Sequence, residues 1–433
     1  MMLTAMPKYD TYKNSGVEWI GDIPAHWNIR KLKYISNINN QTLPENTAGD
    51  FLFDYVDIGS VTLENGIEKV ETFRFSDAPS RARRLAKQGD TVVSTVRTYL
   101  KAISYVDRKS SEYIYSTGFA VINPKDENSS KYLTHFIKSD AFTNQVDDVA
   151  KGISYPAINS SELSNLLVVE PSTPEKNAIA DFLDEKTAKI DDAIAIKERQ
   201  IALLNERKQI LIQQAITQGL DPNVPMKDSC VAWIGTIPAH WSIKRAKYLF
   251  DEINDRSING DEELLSVSHI TGVTPRSEKN VNMFMAEDYS GSKTCKKNDL
   301  VINIMWAWMG ALGVSDREGI VSPSYGVFRE KTQNTFNPVF LEHLLKSKSY
   351  IEHYNQVSTG LHSSRLRFYG HMFFDMAIGF PSFEEQNRII DYVQKESKNI
   401  DKALLLQEQQ ITLLKEYKTT LINSAVTGKI KVV

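Results

Sequence analysis

The chain has 433 residues and a formal net charge of −3, with 41% hydrophobic and 24% charged residues. This length exceeds what one hydrophobic core usually organises, and the composition argues against a disordered or fibrous chain, so two or more globular domains are expected. Two dispersed cysteines, Cys230 and Cys295, are too few for a disulfide framework or a thiolate metal site, which favours a cytoplasmic location. No secretory signal is recognisable, and the most apolar stretch, residues 300–314, is shorter than the roughly 20 residues of a membrane span.

The first element along the chain is a short motif that occurs twice. Residues 19–27 (WIGDIPAHW) recur as residues 233–241 (WIGTIPAHW), and a basic segment containing Lys-Tyr follows each copy. Such self-similarity is the mark of a duplicated architecture. His26 and His240 have no second ligand at metal spacing, so we expect a packing role for both and no metal site.

A weaker likeness continues between the repeated motifs. Residues 89–93 (GDTVV) align with residues 298–302 (NDLVI), which predicts a turn followed by a buried strand in each copy. In the first copy, residues 74–109 contain nine basic and three acidic side chains, a local excess of six positive charges in a chain that is negative overall. Because phosphate neutralisation by Lys and Arg dominates affinity for DNA, we expect one strongly positive face there.

Each copy ends in a long amphipathic segment. Ser172 with Glu175, and Ser382 with Glu385, match the capping box that begins a helix, while Gly219 and Gly428 are placed to end one. Apolar side chains at three- and four-residue steps predict one helix over residues 174–218 and an equivalent one in the second copy. These positions are Leu183, Ile190, Ile194, Ile201, Leu204, Leu211 and Ala215, and then Val393, Ile400, Leu404, Ile411, Leu414, Leu421 and Ala425.

A helix of this length is about 65 Å long, and a lone apolar stripe on it is unstable in water. We therefore expect the two helices to pack as an antiparallel coiled coil that relates the halves by a pseudo-twofold axis; packing of each helix on its own domain is the alternative. The predicted fold class is α+β, with two similar domains at residues 1–170 and 220–380 and long helices at residues 171–219 and 381–433. Twofold-related domains on a rigid spacer match two DNA half-sites.

Three features together carry a family resemblance: the repeated WIGxIPxHW motif, the capped helix start at residues 171–175, and the segment 180–191 (ADFLDEKTAKID). With them, the whole chain resembles the specificity subunit of type I restriction-modification enzymes. The second copy departs at Phe383-Glu384, which replaces Thr173-Pro174 and leaves the cap intact. The resemblance implies a non-catalytic subunit in which each target-recognition domain reads one half of a split double-stranded DNA target and the helices set the gap.

The resemblance also implies partners. It implies two modification (methyltransferase) subunits and, in the full enzyme, two restriction subunits. S-adenosylmethionine, and the ATP and Mg²⁺ used in restriction, are expected on those partner subunits and not on this chain.

Candidate DNA-binding residues combine cations, hydroxyls and planar groups on predicted loops. By the resemblance, the loop at residues 151–155 and its counterpart at residues 360–367 approach DNA, and glycine permits a close approach. A solvated charged turn is an equal alternative for residues 81–84, and core packing is the alternative for the tryptophans. The candidates are Arg81, Arg83, Arg84, Arg97, Tyr99, Lys101, Lys151, Ser154 and Tyr155, and then Trp306, Trp308, His362, Ser363, Arg365 and Arg367.

One segment raises the question of catalysis. Residues 337–340 (NPVF) resemble the motif with which amino-methyltransferases hold a target adenine, so a stand-alone adenine-N6 DNA methyltransferase is an alternative function. Asn followed by Pro is also a standard helix start, and the nearest glycine-rich segment, residues 310–313, lacks the pattern of a cofactor loop. We therefore expect no catalytic residues. A scaffold that binds only protein is a third hypothesis.

Overall fold

The computed structural model describes residues 6–279, 288–360 and 366–432. The chain divides into two compact units, one formed by residues 1–198 with 408–433 and the other by residues 199–407. Each unit therefore combines one globular domain with parts of both long helices.

The first unit is built from short strands and short helices that precede the first long helix. Its strands are β1 (Tyr12–Asn14), β2 (Asp22–Pro24), β3 (Asn28–Lys31), β4 (Ser36–Ile38), β5 (Leu52–Val56), β6 (Val61–Thr62), β7 (Gly66–Ile67), β8 (Glu71–Arg74), β9 (Ala82–Leu85), β10 (Thr91–Ser94), β11 (Ile103–Tyr105), β12 (Ile114–Ser116), β13 (Phe119–Pro124) and β14 (Leu167–Glu170). Its helices are α1 (Leu32–Ile35), α2 (Ser130–Lys138), α3 (Asp140–Val149), α4 (Ser160–Ser164) and the start of α5 (Thr173–Gln218).

The second unit follows the same order of elements. Its strands are β15 (Met226–Asp228), β16 (Thr236–Pro238), β17 (Ser242–Arg245), β18 (Phe250–Glu252), β19 (Leu265–Ser268), β20 (Gly272–Pro275), β21 (Lys293–Cys295), β22 (Leu300–Ile302), β23 (Leu312–Val314), β24 (Gly319–Val321), β25 (Gly326–Glu330) and β26 (Ala377–Phe380). Its helices are α6 (Pro338–Leu345), α7 (Lys348–Val357), α8 (Gly370–Asp375) and the start of α9 (Phe383–Val426).

The two globular domains share their sheet topology. The central sheet has the strand order β11-β10-β13-β4 in the first domain and β23-β22-β25-β18 in the second. A second sheet, β8-β5-β12-β9, corresponds to the hairpin β19-β20 and the pair β21-β24, which a parallel bridge between Leu264 and Ile320 connects. The fold therefore repeats at the level of strand pairing, where the sequence retains little likeness.

Strands β10 and β22 are the buried strands that the sequence predicts. Every residue of both strands is buried, and each strand begins after a left-handed turn residue, Gly89 with φ +93° or Asn298 with φ +72°. Glycine and asparagine are the residues that adopt this conformation most readily. The aligned GDTVV and NDLVI segments thus place the same strand in each domain.

The helix α5 (Thr173–Gln218) lies within one residue of the helix predicted over residues 174–218, whereas α9 (Phe383–Val426) ends seven residues before the end of the predicted segment 381–433. Each copy makes one of the two bonds of the expected capping box. Ser172 N donates to Glu175 Oε2 at 3.2 Å in the first copy, and Glu385 N donates to Ser382 Oγ at 3.3 Å in the second. The helix α5 ends at Gln218, directly before Gly219 with φ +79°, and α9 ends at Val426, two residues before Gly428 with φ +73°.

The long helices pack antiparallel within each unit, as predicted. In the first unit Lys418 Nζ lies 2.7 Å from the carboxylate of Asp191, and in the second unit Lys208 Nζ lies 2.7 Å from Asp401 Oδ1. Asp191 and Asp401 hold equivalent positions on the two helices, as do Lys208 and Lys418, so the same ion pair occurs twice. The helix ends also pack on the globular domains, because Leu183 and Leu421 belong to the core around Trp27. The alternative of domain packing is thus realised alongside the coiled coil.

The repeated motif anchors each domain to its helix. Glu175 accepts from Trp27 Nε1 at 3.0 Å and lies 2.8 Å from His26 Nε2. Glu385 makes the same contacts with Trp241 at 3.2 Å and His240 at 2.8 Å. Each imidazole is half exposed and hydrogen-bonds to the helix glutamate, a contact that the sequence did not predict. The His26 ring also packs near Tyr9, with ring centroids 5.6 Å apart, in line with the expected packing role.

The environment of Glu175 strongly favours its charged form. Burial by itself raises the pKa of this carboxyl, but hydrogen bonds from His26, Trp27 and Ser172 outweigh that effect and lower the pKa to about 2. The carboxylate therefore stays ionised at any physiological pH and holds the domain to the helix start.

Candidate nucleic-acid interface

The segment after strand β10 forms a tight, exposed turn. Thr98–Leu100 is a single 3₁₀ turn, flanked by Arg97 with φ +54° and Lys101 with φ +47°. Left-handed backbone is uncommon for such side chains and implies that the surrounding structure imposes it. Arg97 is exposed and Tyr99 is 55% exposed, so the turn presents a cation and an aromatic ring to solvent.

The loop at residues 152–156 is closed by a two-bond clasp. Lys151 N donates to Ala157 O and Ala157 N donates to Lys151 O, both at 2.9 Å. Within the loop Ser154 is exposed and Tyr155 is 65% exposed, while Lys151 Nζ is held 3.0 Å from Glu162 Oε1. The clasp fixes the loop so that its side chains project from a defined base.

The structure brings these two predicted segments together. The Arg97 guanidinium lies over the Tyr155 ring, 5.1 Å from its centroid. Thr98 N donates to Pro156 O at 3.3 Å, and an antiparallel bridge joins Val96 to Ala157. Six of the nine predicted residues of the first domain lie on these two joined segments, which we call the tip surface. Five of them are exposed, whereas Lys101 is partly buried, with its Nζ 3.9 Å from Asp140 Oδ1. The six are Arg97, Tyr99, Lys101, Lys151, Ser154 and Tyr155.

The other three predicted residues of the first domain, Arg81, Arg83 and Arg84, lie in or next to strand β9 and not on the tip surface. Residues 82–85 are strand β9 and not a solvated turn, because Arg84 pairs with Tyr115 of β12. Burial lowers the pKa of Arg84, whose Nε is buried without a hydrogen-bond partner, while the Arg83 guanidinium lies 4.6 Å from the Phe75 ring centroid. Among these three arginines, Arg81 is the exposed one.

The second domain builds the same turn from different residues. Ala307–Met309 is the 3₁₀ turn after strand β22, preceded by Trp306 and followed by Gly310 with φ +81°. Trp306 is 47% exposed and stacks on Trp308, with ring centroids 6.0 Å apart. Trp308 is partly buried and its Nε1 donates to Met305 O at 3.0 Å. The position of Arg97 is thus occupied by Trp306, and that of Tyr99 by Trp308.

The second loop has the same clasp. Thr359 and Arg367 exchange both backbone hydrogen bonds, at 3.1 and 2.8 Å, as Lys151 and Ala157 do in the first domain. Arg367 is partly buried and its Nη1 donates to Leu366 O at 2.9 Å. The predicted residues His362, Ser363 and Arg365 lie outside the described residues.

The segment that suggested a methyltransferase is a helix start. Asn337 caps α6, since its side-chain oxygen accepts from Val339 N at 2.9 Å and Phe340 N at 3.1 Å. Its side-chain amide donates to Asn387 Oδ1 at 2.8 Å, and Phe340 is fully buried against Trp241. The polar groups of Asn337 are therefore used by the fold, and nothing here supports the adenine-N6 methyltransferase alternative.

Neither a metal cluster nor a membrane span is present in residues 6–279, 288–360 and 366–432. Over those ranges no group of three or more His, Cys, Asp or Glu side chains is arranged to hold a metal ion. Across the same residues, no helix combines the length and the hydropathy needed to cross a bilayer.

Two features of the tip surface were not predicted from the sequence. Arg97 and Tyr155 are far apart in sequence, so no local sequence pattern predicts that their side chains stack. Ile153, at 105% exposure, was not among the predicted residues although it lies between Lys151 and Tyr155. An apolar residue directly after a loop glycine was the available signal.

Part of the chain is similar in sequence to known proteins. Residues 24–206 match the family model described as the type I restriction modification DNA specificity domain. The chain is 25% identical over 196 residues to the MjaIX specificity subunit of Methanocaldococcus jannaschii, which covers 43% of this chain and 43% of that protein. It is 25% identical over 165 residues to the HindI specificity subunit of Haemophilus influenzae, covering 37% of this chain and 34% of that protein. The chain thus matches less than half the length of these curated relatives.

Two solved structures share the fold over nearly the whole chain. A chain from a structure of the type I R-M system, described for its complex assembly and conformational transition, superposes with a TM-score of 0.66 at 19% identity and covers 93% of this chain and 98% of that one. The HsdS subunit from Thermoanaerobacter tengcongensis gives a TM-score of 0.52 at 19% identity, with 94% and 98% covered. These two likenesses show that this chain shares its fold with both structures over nearly its whole length.

Proposed function

We propose that the chain is the DNA-recognition subunit of a type I restriction-modification complex and performs no chemistry itself. Each globular domain reads one half of a bipartite double-stranded target, and the paired long helices set the gap between the halves. The observation that carries this proposal is a contrast between two parts of each domain. The frame, meaning the sheets and the helix anchor, is the same in both domains, whereas the turns after strands β10 and β22 carry different side chains. The frame keeps its strand order and its Glu175 or Glu385 anchor, whereas Arg97 and Tyr99 give way to Trp306 and Trp308.

The tip surface has the chemistry that DNA recognition requires. Arg97 and Lys151 carry charges that suit phosphates or guanine edges, and Tyr99 and Tyr155 present exposed aromatic faces. Because the Arg97 guanidinium already lies over the Tyr155 ring, part of the cost of ordering both side chains is met before binding. In the second domain, the exposed Trp306 suits stacking or wedging at a base step.

The long helices also carry exposed apolar side chains that suit the binding of protein partners. In the second unit, Leu203 and Ile210 of α5 lie seven residues apart and are 57% and 48% exposed, and Leu406 of α9 is 55% exposed. An apolar stripe of this kind beside a coiled-coil seam is the surface on which further amphipathic helices pack. We assign it to the modification subunits, two per specificity subunit, which supply S-adenosylmethionine-dependent methyl transfer. In a full enzyme two restriction subunits join them, and the complex acts in the cytoplasm.

The recognition role is tested by mapping methylated bases in a host that expresses the chain with its modification subunit. We expect one split motif that disappears when the chain is deleted. Arg97→Ala relaxes the first half of the motif alone and Trp306→Ala the second half alone. A continuous motif, or loss of both halves from either variant, contradicts the assignment of one half to each domain.

The spacer role has its own test. Inserting the same number of residues into α5 and α9 is expected to change the gap of the methylated motif and to leave both half-sites as they are. An unchanged gap contradicts the role of the helices as a spacer.

The docking surface is tested by co-purification. Leu203→Glu combined with Leu406→Glu places charge in the apolar stripe, and we expect the modification subunit to be lost from the complex. Gln213→Glu, a charge added at an exposed polar position of α5, is the matched control and is expected to retain it. Retention by the double variant assigns docking elsewhere.

A further inference from the structure

The first loop carries a fully exposed apolar side chain at its apex. Ile153 is 105% exposed, more than any other large hydrophobic residue in the described part of the chain. The loop that carries Ile153 is held in place at its base, because Lys151 and Ala157 form two backbone hydrogen bonds of 2.9 Å. Burying this side chain on a ligand is therefore favourable and needs little ordering of the backbone.

The backbone next to Ile153 has room only for glycine. Gly152 has φ +117°, and a Cβ at that position would lie 2.9 Å from the carbonyl oxygen of Tyr155. The chain folds back on itself at this point, so the turn cannot relax around a larger residue. This tight turn holds the next side chain at the loop apex.

The surroundings of Ile153 suit nucleic acid. Lys151 and Tyr155 flank it in the loop, and Arg97 lies over the Tyr155 ring. Single exposed apolar residues are ordinary on protein surfaces. An isoleucine among cations and aromatic rings differs because it cannot hydrogen-bond to a base and can distinguish bases only by apolar contact.

We propose that Ile153 recognises the C5-methyl group of a thymine in the first half-site. This inference rests on the proposed function and adds which chemical feature the loop detects. In the major groove thymine alone among the four bases displays a methyl group, and apolar side chains contact it directly. The second loop repeats the arrangement in sequence, because Leu361 directly follows Gly360 as Ile153 follows Gly152, although residues 361–365 lie outside the described residues.

The test replaces thymine by uracil, which keeps base pairing and removes only the methyl group. Affinity of the assembled complex with its modification subunit is measured on target duplexes that carry uracil at one thymine of the first half-site at a time. We expect one position at which uracil weakens binding about fourfold, the effect of losing one buried methyl group. Ile153→Ala is expected to bind the thymine and uracil duplexes equally, and Ile153→Val to retain the preference.

A matched control uses another exposed isoleucine. Ile258 is 88% exposed in the second unit, so Ile258→Ala is expected to leave the uracil effect unchanged. The fold tolerates both alanine variants because neither side chain is packed.

Several results overturn the proposal. They are a first half-site without thymine on either strand, no thymine whose replacement matters, or a uracil effect that persists in Ile153→Ala. Equal weakening of all duplexes by Ile153→Ala assigns the residue to a wedge, and weakened assembly with the modification subunit assigns it to a protein contact; both overturn methyl recognition. Absence of any sequence-specific binding by the wild-type complex instead contradicts the proposed function itself.

Discussion

The two globular domains are alike where they are buried and unlike where they are exposed. Both hold a fully buried tryptophan, Trp27 or Trp241, against a helix glutamate, and both place a 3₁₀ turn after the buried central strand. At the flanks of that turn Arg97 corresponds to Trp306 and Lys101 to Gly310. The comparison teaches that the buried packing fixes the position of the residues around this turn but does not fix which side chains they carry.

One buried site departs from this rule. Asp90 accepts from the Asn123 amide at 2.6 Å, whereas the equivalent Asp299 accepts two bonds from the Arg329 guanidinium, both at 2.7 Å. Burial raises the pKa of Asp90. The bidentate arginine gives Asp299 a full countercharge, so the two domains stabilise the same buried carboxyl by different means.

Substitution of the two buried tryptophans is expected to cause the largest loss of stability. Trp27→Ala and Trp241→Ala are each expected to destabilise their own unit by about 3 to 5 kcal/mol, because each removes a large, fully buried side chain. Urea denaturation with probes in both units measures the loss. Trp19→Ala, at a 43% exposed position, is the control with a small effect. A much smaller loss for one tryptophan would contradict the equivalence of the two cores.

Substitutions beside the two buried carboxyls, Asp90 and Asp299, are expected to cause the next largest loss of stability. Arg329→Ala removes the countercharge of the buried Asp299, which keeps only the hydrogen bond from Lys296 N, and is expected to cost about 3 kcal/mol. Asn123→Ala removes one hydrogen bond from Asp90 and is expected to cost about 1 kcal/mol. Comparison of the two unfolding midpoints checks the difference, and equal losses would mean that the countercharge adds nothing.

The helix anchor is tested through pH. The pKa of Glu175 is about 2 in the folded chain and lies near 4.5 for the free side chain, so its contribution is complete above pH 4.5 and is lost as the pH falls towards 2. Glu175→Gln is expected to cost about 2 kcal/mol at neutral pH and to flatten the pH dependence of unfolding in that window. The exposed Glu18→Gln serves as the control, and an unaltered slope in Glu175→Gln argues against the anchor.

The repeated ion pair of the coiled coil gives the smallest effect. Asp191→Asn and Asp401→Asn are each expected to cost less than about 1 kcal/mol, since both carboxylates are more than half exposed. Thermal unfolding at low and high salt measures both, and the loss is expected to shrink with salt. Unequal losses would show that the two ends of the coil are not equivalent.

The sequence predicted the long-range plan better than the local details. Helix periodicity and caps are encoded by neighbouring residues, so the predicted helix over residues 174–218 matches α5 (Thr173–Gln218) closely. The contact of His26 with Glu175 joins residues 149 positions apart and has no local signature. Residues 82–85 are a strand because of their pairing with β12, which no charge count indicates. Gly310 at the position of Lys101 was the one sequence hint of the left-handed turn.

The division of the chain into units constrains how it folds. The second unit is one continuous stretch, residues 199–407, but the first unit also needs residues 408–432, which close its core through Leu421 and Val426 and bind its start where Tyr12 Oη donates to Gly428 O. During synthesis the first domain to emerge must therefore wait for the last helix before it is complete, while the second domain can finish earlier. A nascent chain stalled before residue 408 would expose the apolar surface that residues 408–432 cover, so the order of translation and the order of folding are opposed in this protein.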